Sequence, residues 1–150
     1  SDYPEKRVLR IKDERVKRYV NCYSSLKRSG AKILTKKDLT FGTAALNNLI
    51  RRVRTPYVYI SIDMDIGARN ALGGVRFQNH QGLSEIQIDK IARALRALLD
   101  RGIELAGMDV MVFNPRRAGC GETQSADRTY RIAFNIIKTI FFPLQALGQA

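Results

Sequence analysis

Two aspartates, Asp63 and Asp65, close the run YVYISIDMD that extends from Tyr57 to Asp65. Side chains alternate along a strand, so carboxylates two residues apart leave it on the same face. Two carboxylates at the end of an apolar strand repel each other and lose water, and a positive charge between them relieves both costs. A divalent metal meets that need. The plainer alternative has one aspartate capping the next segment and the other facing solvent.

Other side chains downstream of the pair could also do chemistry. His80 is the only histidine; it could act as a general acid–base group or a late metal ligand, or be a polar loop side chain. Cys120 lies between Gly119 and Gly121 and could be a nucleophile, although no histidine is near it in sequence to activate it. Arg69 and Arg76 could bind an anionic substrate or merely solvate their loop.

These residues must be positioned by a scaffold that the periodicities outline. Val58, Ile60 and Ile62 alternate between Pro56 and Gly67, a pattern that predicts a buried strand of a parallel sheet. Asp63 and Asp65 fall at its carboxyl end, where open α/β sheets bind ligands. Upstream, Val8–Ile11 is a short strand candidate and Asp13 a plausible N-cap. Val16, Tyr19, Val20, Tyr23 and Leu26 predict an amphipathic helix that Gly30 terminates. AKILT, Ala31–Thr35, reads as a strand, Lys36–Thr40 as a polar turn and Phe41–Val53 as a helix with cations at its end.

After Asp65 a long polar segment, Ile66–Gln81, carries three glycines and the marks of a functional loop. Ser84 opens a helix with Ile88, Ile91, Leu95, Leu98 and Leu99 on its inner face, and Gly102 ends it. Glu104–Phe113 is a second buried strand, stopped by Asn114-Pro115. A glycine-rich turn at Ala118–Gly121 leads to a last helix, Gln124–Leu147, that Pro143 could kink. Strand–helix alternation without a repeat or linker predicts one α/β unit over residues 1–150, with a mainly parallel sheet, right-handed crossovers and helices on both faces.

Composition excludes some classes and leaves others open. A chain of 150 residues, 45% hydrophobic and 27% charged, has the size and make-up of one soluble domain. No apolar run reaches the roughly 20 residues of a membrane span; Ile136–Leu147 comes nearest but contains Lys138 and Pro143. No basic-then-apolar leader opens the sequence. Cys22 and Cys120 lack zinc or CxxC spacing, which fits a reducing, cytoplasmic setting. The net charge of +12 invites a nucleic-acid partner through phosphate contacts. The basic residues are dispersed over helix surfaces, however, with no accompanying motif.

Three ordered segments carry a resemblance. Ser61-Ile62-Asp63-Met64-Asp65 is similar to an S-x-D-x-D strand end, Gly82-Leu83-Ser84-Glu85 partly matches a GL-[ST]-x-x-E helix start, and Gly107-Met108-Asp109-Val110-Met111-Val112-Phe113-Asn114-Pro115 fits a G-[LM]-D-[IV]-x-E-x-N-P strand. Over roughly residues 20–145 the chain resembles the arginase/agmatinase (ureohydrolase) family. The resemblance implies a three-layer α/β/α sandwich and hydrolysis of a small guanidino-like substrate at a C–N bond by two manganese ions. Asp63 and Asp65 would be metal ligands, with Asp109, Asn114 and Pro115 structural. It further implies a homo-oligomer, or association with a missing N-terminal half.

The family's upstream ligand segments, GGDH and D-A-H-x-D, do not occur in this sequence, so the resemblance is to a carboxyl-terminal half. An Asp-Pro that follows the D-x-D pattern is replaced by Ala68-Arg69. The glutamate that contacts the guanidinium falls at Val112, and Glu122 could substitute for it. A non-catalytic arginase-fold interaction protein is therefore a second expectation, and a basic nucleic-acid-binding domain a third.

Overall fold

The computed structural model describes residues 12–40, 42–78, 80–114 and 124–142. The expected strand at Val8–Ile11, Pro115, the turn at Ala118–Gly121 with Cys120, Glu122, and Pro143 with the end of the last helix lie outside them. The chain divides into two compact units, Ser1–Ala45 and Leu46–Ala150.

In the first unit α1 (Glu14–Arg28) begins where Asp13 accepts a hydrogen bond from the Arg15 backbone N–H at 2.8 Å. The Arg15 side chain adds a second contact, and together they hold the Asp13 carboxyl below the usual aspartate range. Gly30, at φ +87°, follows the helix end, in the left-handed conformation that glycine adopts without a steric cost. AKILT is not a strand. Thr35 donates both its backbone N–H and its hydroxyl to Asp38, each at 2.7 Å, and these bonds start a short helix, α2 (Lys36–Thr40). The expected polar turn is thus helical, because the local cap is satisfied at once while a strand needs a distant partner.

The second unit is organised by two strands. α3 (Ala44–Arg51), whose first two residues belong to the first unit, leads to β1 (Tyr57–Asp63). α4 (Glu85–Leu99), β2 (Glu104–Met111) and α5 (Gln124–Phe141) follow. β1 and β2 pair in parallel, with Ser61 opposite Asp109 and Asp63 opposite Met111. This is the α/β fold with a parallel sheet that the alternation of strand and helix predicts.

The apolar side of β1 meets α4. Val58, Ile60 and Ile62 share a cleft of about 370 Å³ with Ile88, Ile91, Leu95 and Leu98 of α4 and Ile136 of α5. Ile60, Ile88 and Leu98 are each at least 95% buried. The expectation that β1 is buried on both faces is corrected: Tyr57 and Tyr59 on the other face are 59% and 63% exposed. Nothing among the described residues covers that face.

Two arginines brace the helix ends. Arg101 donates to the carbonyls of Ile50 and Val53, at the end of α3. Arg96 donates to the Ile140 carbonyl, at the end of α5. Cations bound to the last carbonyls of a helix also complement its dipole. Part of the basic surplus therefore serves the fold.

α4 starts with a complete capping box, in which the Ser84 hydroxyl accepts from the Gln87 backbone N–H and the Gln87 side chain accepts from the Ser84 N–H. Just before it, Leu83 forms a parallel bridge with Gly67. Gly82 lies so close to that segment that a Cβ would fall on the Gly67 carbonyl group. Gly82→Ala is expected to destabilise the protein by about 1–3 kcal/mol, the cost typical of overpacking. Ser84→Ala, which removes a cap, should cost about 1 kcal/mol. Urea unfolding of the two variants checks both figures; an unchanged stability in Gly82→Ala would mean that the close backbone approach contributes nothing.

Candidate metal centre

Asp63 is the last residue of β1, and its carboxylate turns back on its own chain. It accepts from the Asp65 backbone N–H at 3.3 Å and caps the short 3-10 turn Met64–Ile66. Asp65 therefore does not continue the strand, which corrects the expectation that strand alternation alone aligns the two carboxylates. Met64, fully buried, anchors the turn. Backbone bonds on either side of Gly67, Leu83 N–H to the Ile66 carbonyl and Ala68 N–H to the Leu83 carbonyl, both 2.8 Å, hold it against the approach to α4.

The two carboxylates are near enough to influence each other. Asp63 is exposed and Asp65 half-buried. Burial, and then the adjacent negative charge of Asp63, push the Asp65 carboxyl above the ordinary aspartate value. One aspartate does act as a cap, as in the plainer sequence reading, yet the second remains beside it in a partly desolvated setting. Among the described residues no group of three or more His, Cys, Asp or Glu side chains gathers around a common point. The chain thus brings two hard oxygen donors together, whereas a hexacoordinate cation requires more.

The strand face that carries Asp63 is held by Asp109. The Ser61 hydroxyl donates to one Asp109 carboxylate oxygen at 2.7 Å and the Tyr59 hydroxyl to the other at 2.9 Å. The bond to Asp109 raises the Tyr59 pKa. The register shifts between Val58 and Tyr59, leaving Ala106 without a partner and placing Tyr59 opposite Gly107. A Cβ at Gly107 would approach the Tyr59 ring to 2.8 Å, so glycine there lets the ring lie across β2 and reach Asp109.

β2 ends earlier than the expected Phe113. Val112 has φ +61°, a left-handed conformation that is strained for a β-branched residue. The reversal turns its carbonyl to the Arg76 backbone N–H at 3.1 Å and lets Phe113 bridge Val75 in antiparallel fashion. Spacing in the sequence marks position 112 only as lacking a carboxylate. Its backbone conformation carries no sequence signal, because nothing about valine suggests it.

The segment from Ile66 to Gln81, expected as a functional loop, is pinned from below. Ala71, Leu72 and Val75 are buried, and the Gly74 N–H donates to the buried Thr129 hydroxyl at 2.9 Å. His80 is exposed and lines a polar hollow with Arg69, Asn70, Gly73 and Gln78. Neither Asp63 nor Asp65 lines that hollow. Arg76 instead stacks on Phe77, its guanidinium carbon 5.3 Å from the ring centroid.

A family model described as the arginase family matches residues 13–142. No curated protein matches. Among solved structures the chain is similar to an arginase from Helicobacter pylori, with a TM-score of 0.61 and 16% identity over 85% of this chain and 39% of that one. An arginase from Bacillus caldovelox gives 0.61 and 16% over 82% and 39%. An arginase from Bacillus subtilis gives 0.60 and 19% over 88% and 41%. At these identities the likeness to the three solved structures is one of fold. The chain spans about two-fifths of their length.

The raised Asp65 carboxyl has a consequence for stability. A folded-state pKa above the unfolded value means that the native state holds more protons in the window between the two. Stability is then lost as pH rises through that window, and the penalty is complete above it. With a chelator present, Asp65→Asn is expected to stabilise the chain at pH 7 and to give no gain at a pH of about 3. Urea unfolding at the two pH values checks this; a gain of equal size at both would mean that charge is not the cause.

Proposed function

The chain belongs to the arginase family, and from that premise we propose that it forms the carboxyl-terminal part of a manganese-dependent hydrolase acting on a guanidino- or amidine-type C–N bond. The observation that carries this reading is the pairing of Asp63 and Asp65 at the carboxyl end of β1, with the Asp65 carboxyl raised by burial and by its neighbour. Such a pair gains from a divalent cation, which neutralises two like charges that otherwise oppose each other. Asp63 and Asp65 would supply two of the oxygen ligands, and the remaining ligands would come from sequence outside this chain. A bound ion of this kind supplies Lewis acidity and makes water a competent nucleophile at neutral pH.

The chain's own residues prepare that position. Asp109 fixes the end of β1 through Ser61 and Tyr59, and the clamp between Gly67 and Leu83 fixes the turn that bears Asp65. In this reading the protein works in the cytoplasm as a homo-oligomer or together with the rest of the arginase fold. Among the described residues no helix is long and apolar enough to cross a membrane.

One observation favours a second reading, an arginase-fold protein without catalysis. Val112 stands where the resemblance puts the glutamate that meets the substrate's guanidinium, and an alkyl side chain gives a cation no partner there.

Metal content separates the two readings. The gene product that carries this chain, purified without chelator, is expected to hold two manganese ions per chain and to lose them in the Asp63→Ala/Asp65→Ala variant. Residues 1–150 alone are expected to bind Mn²⁺ weakly and to hydrolyse no guanidino compound. Metal-free protein that takes up no manganese on dialysis would overturn the hydrolase reading in favour of the non-catalytic one.

A further inference from the structure

We propose that the hollow lined by Arg69, Asn70, Gln78 and His80 is a binding site for a small oxyanion, a carboxylate or a phosphate. The hollow measures about 510 Å³, within the range of small-molecule sites. Among the described residues its side chains are a guanidinium, two carboxamides and an imidazole, with no carboxylate. The guanidinium offers a fork of donors that matches an oxyanion in a bidentate manner. The amides and the imidazole N–H add further donors.

Among the described residues Arg69 has no ion-pair partner, and unlike the unpaired cations elsewhere on the surface it lines a hollow. Arg93 pairs with Asp89, Arg96 with Asp100, and Arg128 and Arg131 with Glu85. No described carboxylate or carbonyl holds Arg69, and none holds the His80 ring. A second cation is close by: Arg128 donates to the Asn70 backbone carbonyl at 3.2 Å, although Glu85 offsets its charge.

The floor of the hollow is organised before any ligand arrives. The Ala71 and Leu72 N–H groups both donate to the Ala68 carbonyl at 2.8 Å, which closes the turn that carries Arg69 and Asn70. The Gly74 N–H is held by Thr129, and the Gly74 carbonyl accepts from the Asn114 N–H at 3.0 Å. The Gln78 side chain donates to the Gly73 carbonyl at 3.2 Å, which draws its amide over the rim. A pinned turn presenting unpaired donors needs little reordering to accept an anion, and that saving favours binding. The aspartate pair contributes no lining residue, so this site stands or falls apart from the metal reading.

His80, as the only histidine, makes the test direct, because a single pair of imidazole C–H resonances reports the hollow. In metal-free protein these are followed during titration with inorganic phosphate and, separately, with succinate, at ionic strength held constant with chloride. A saturable shift is expected with at least one anion. Phosphate alone identifies a phosphate site, succinate alone an organic-acid site, and both a general oxyanion site.

Arg69→Gln and Arg69→Ala should each weaken the binding about tenfold or more, the loss expected of a charge-assisted contact. Arg76→Ala, which removes the same charge from a residue outside the hollow, should leave it within about twofold. Backbone amide spectra confirm that the variants fold. A shift that rises without saturating, or equal losses from the Arg69 and Arg76 variants, would reduce the effect to the general attraction of a basic protein and overturn the proposal.

Discussion

Asp109 accepts the hydroxyls of Ser61 and Tyr59, one on each carboxylate oxygen, and the placement of the candidate metal centre follows from that pair of bonds. The apolar face of β1 against α4 forbids a one-residue slip, which would turn it to solvent, and the Asp109 bonds add a polar pin to that register. Two hydroxyls from alternate residues of β1 meeting one carboxylate of β2 admit a single alignment, with Ser61 opposite Asp109. Asp63 then stands one pleat beyond, opposite Met111, at the last paired position. The unpaired Ala106 and the absent side chain at Gly107 bring Tyr59 into line with Asp109. In this chain bulge, glycine and carboxylate thus act as one device.

Legibility in the sequence follows the range of the interaction. Asp13, Gly30, Ser84 and Gly102 mark helix ends through bonds and conformations confined to a few neighbouring residues, and each stands where its residue type implies. AKILT misleads because strand character in a short apolar run depends on a partner, while the Thr35–Asp38 cap needs none. β1 is legible as a strand but not as a half-exposed one. Tyrosine suits either environment, so Tyr57 and Tyr59 give no sign that one face is bare. Of the candidate centre, the two aspartates are evident from type and spacing. The turn that removes Asp65 from the strand, the Asp109 lock and the reversal at Val112 depend on contacts some fifty residues apart or on backbone conformation. The hollow is half legible: Arg69, Arg76 and His80 mark the loop as polar and basic, yet only the folded chain places Arg69 with His80 and leaves Arg76 on Phe77.

The electrostatics of the aspartate pair sets a limit on what the chain does by itself. Asp63 accepts the Asp65 N–H as the cap of the short turn, and burial of Asp65 together with the nearby Asp63 charge opposes ionisation of Asp65. Burial and that neighbouring charge hold the Asp65 carboxyl above the ordinary aspartate value, and a cation between the two carboxylates would relieve the opposition. Further ligands brought from elsewhere would add affinity and also dry the site, which strengthens the repulsion when the metal is absent.

Completion of the sheet acts through the same coupling. Parallel strands are ordinarily covered on both faces, and two of them alone bury too little apolar surface to be stable without support. Here α4 and α5 cover one side, while β1 also lines a cleft with six consecutive residues, Val58 to Asp63. Consecutive residues of a strand meet a cleft together only along its edge, where backbone donors and acceptors are presented in a row. The apolar wall opposite, Ile88, Ile91 and Leu95, offers a surface against which alternate side chains of an added strand would be buried. Asp63 sits at the end of that edge. A strand paired there would stabilise β1 and at the same time bring new side chains to the carboxyl end where the two aspartates wait. Among the described residues the open edge of β1 and the aspartate pair thus share one residue, Asp63.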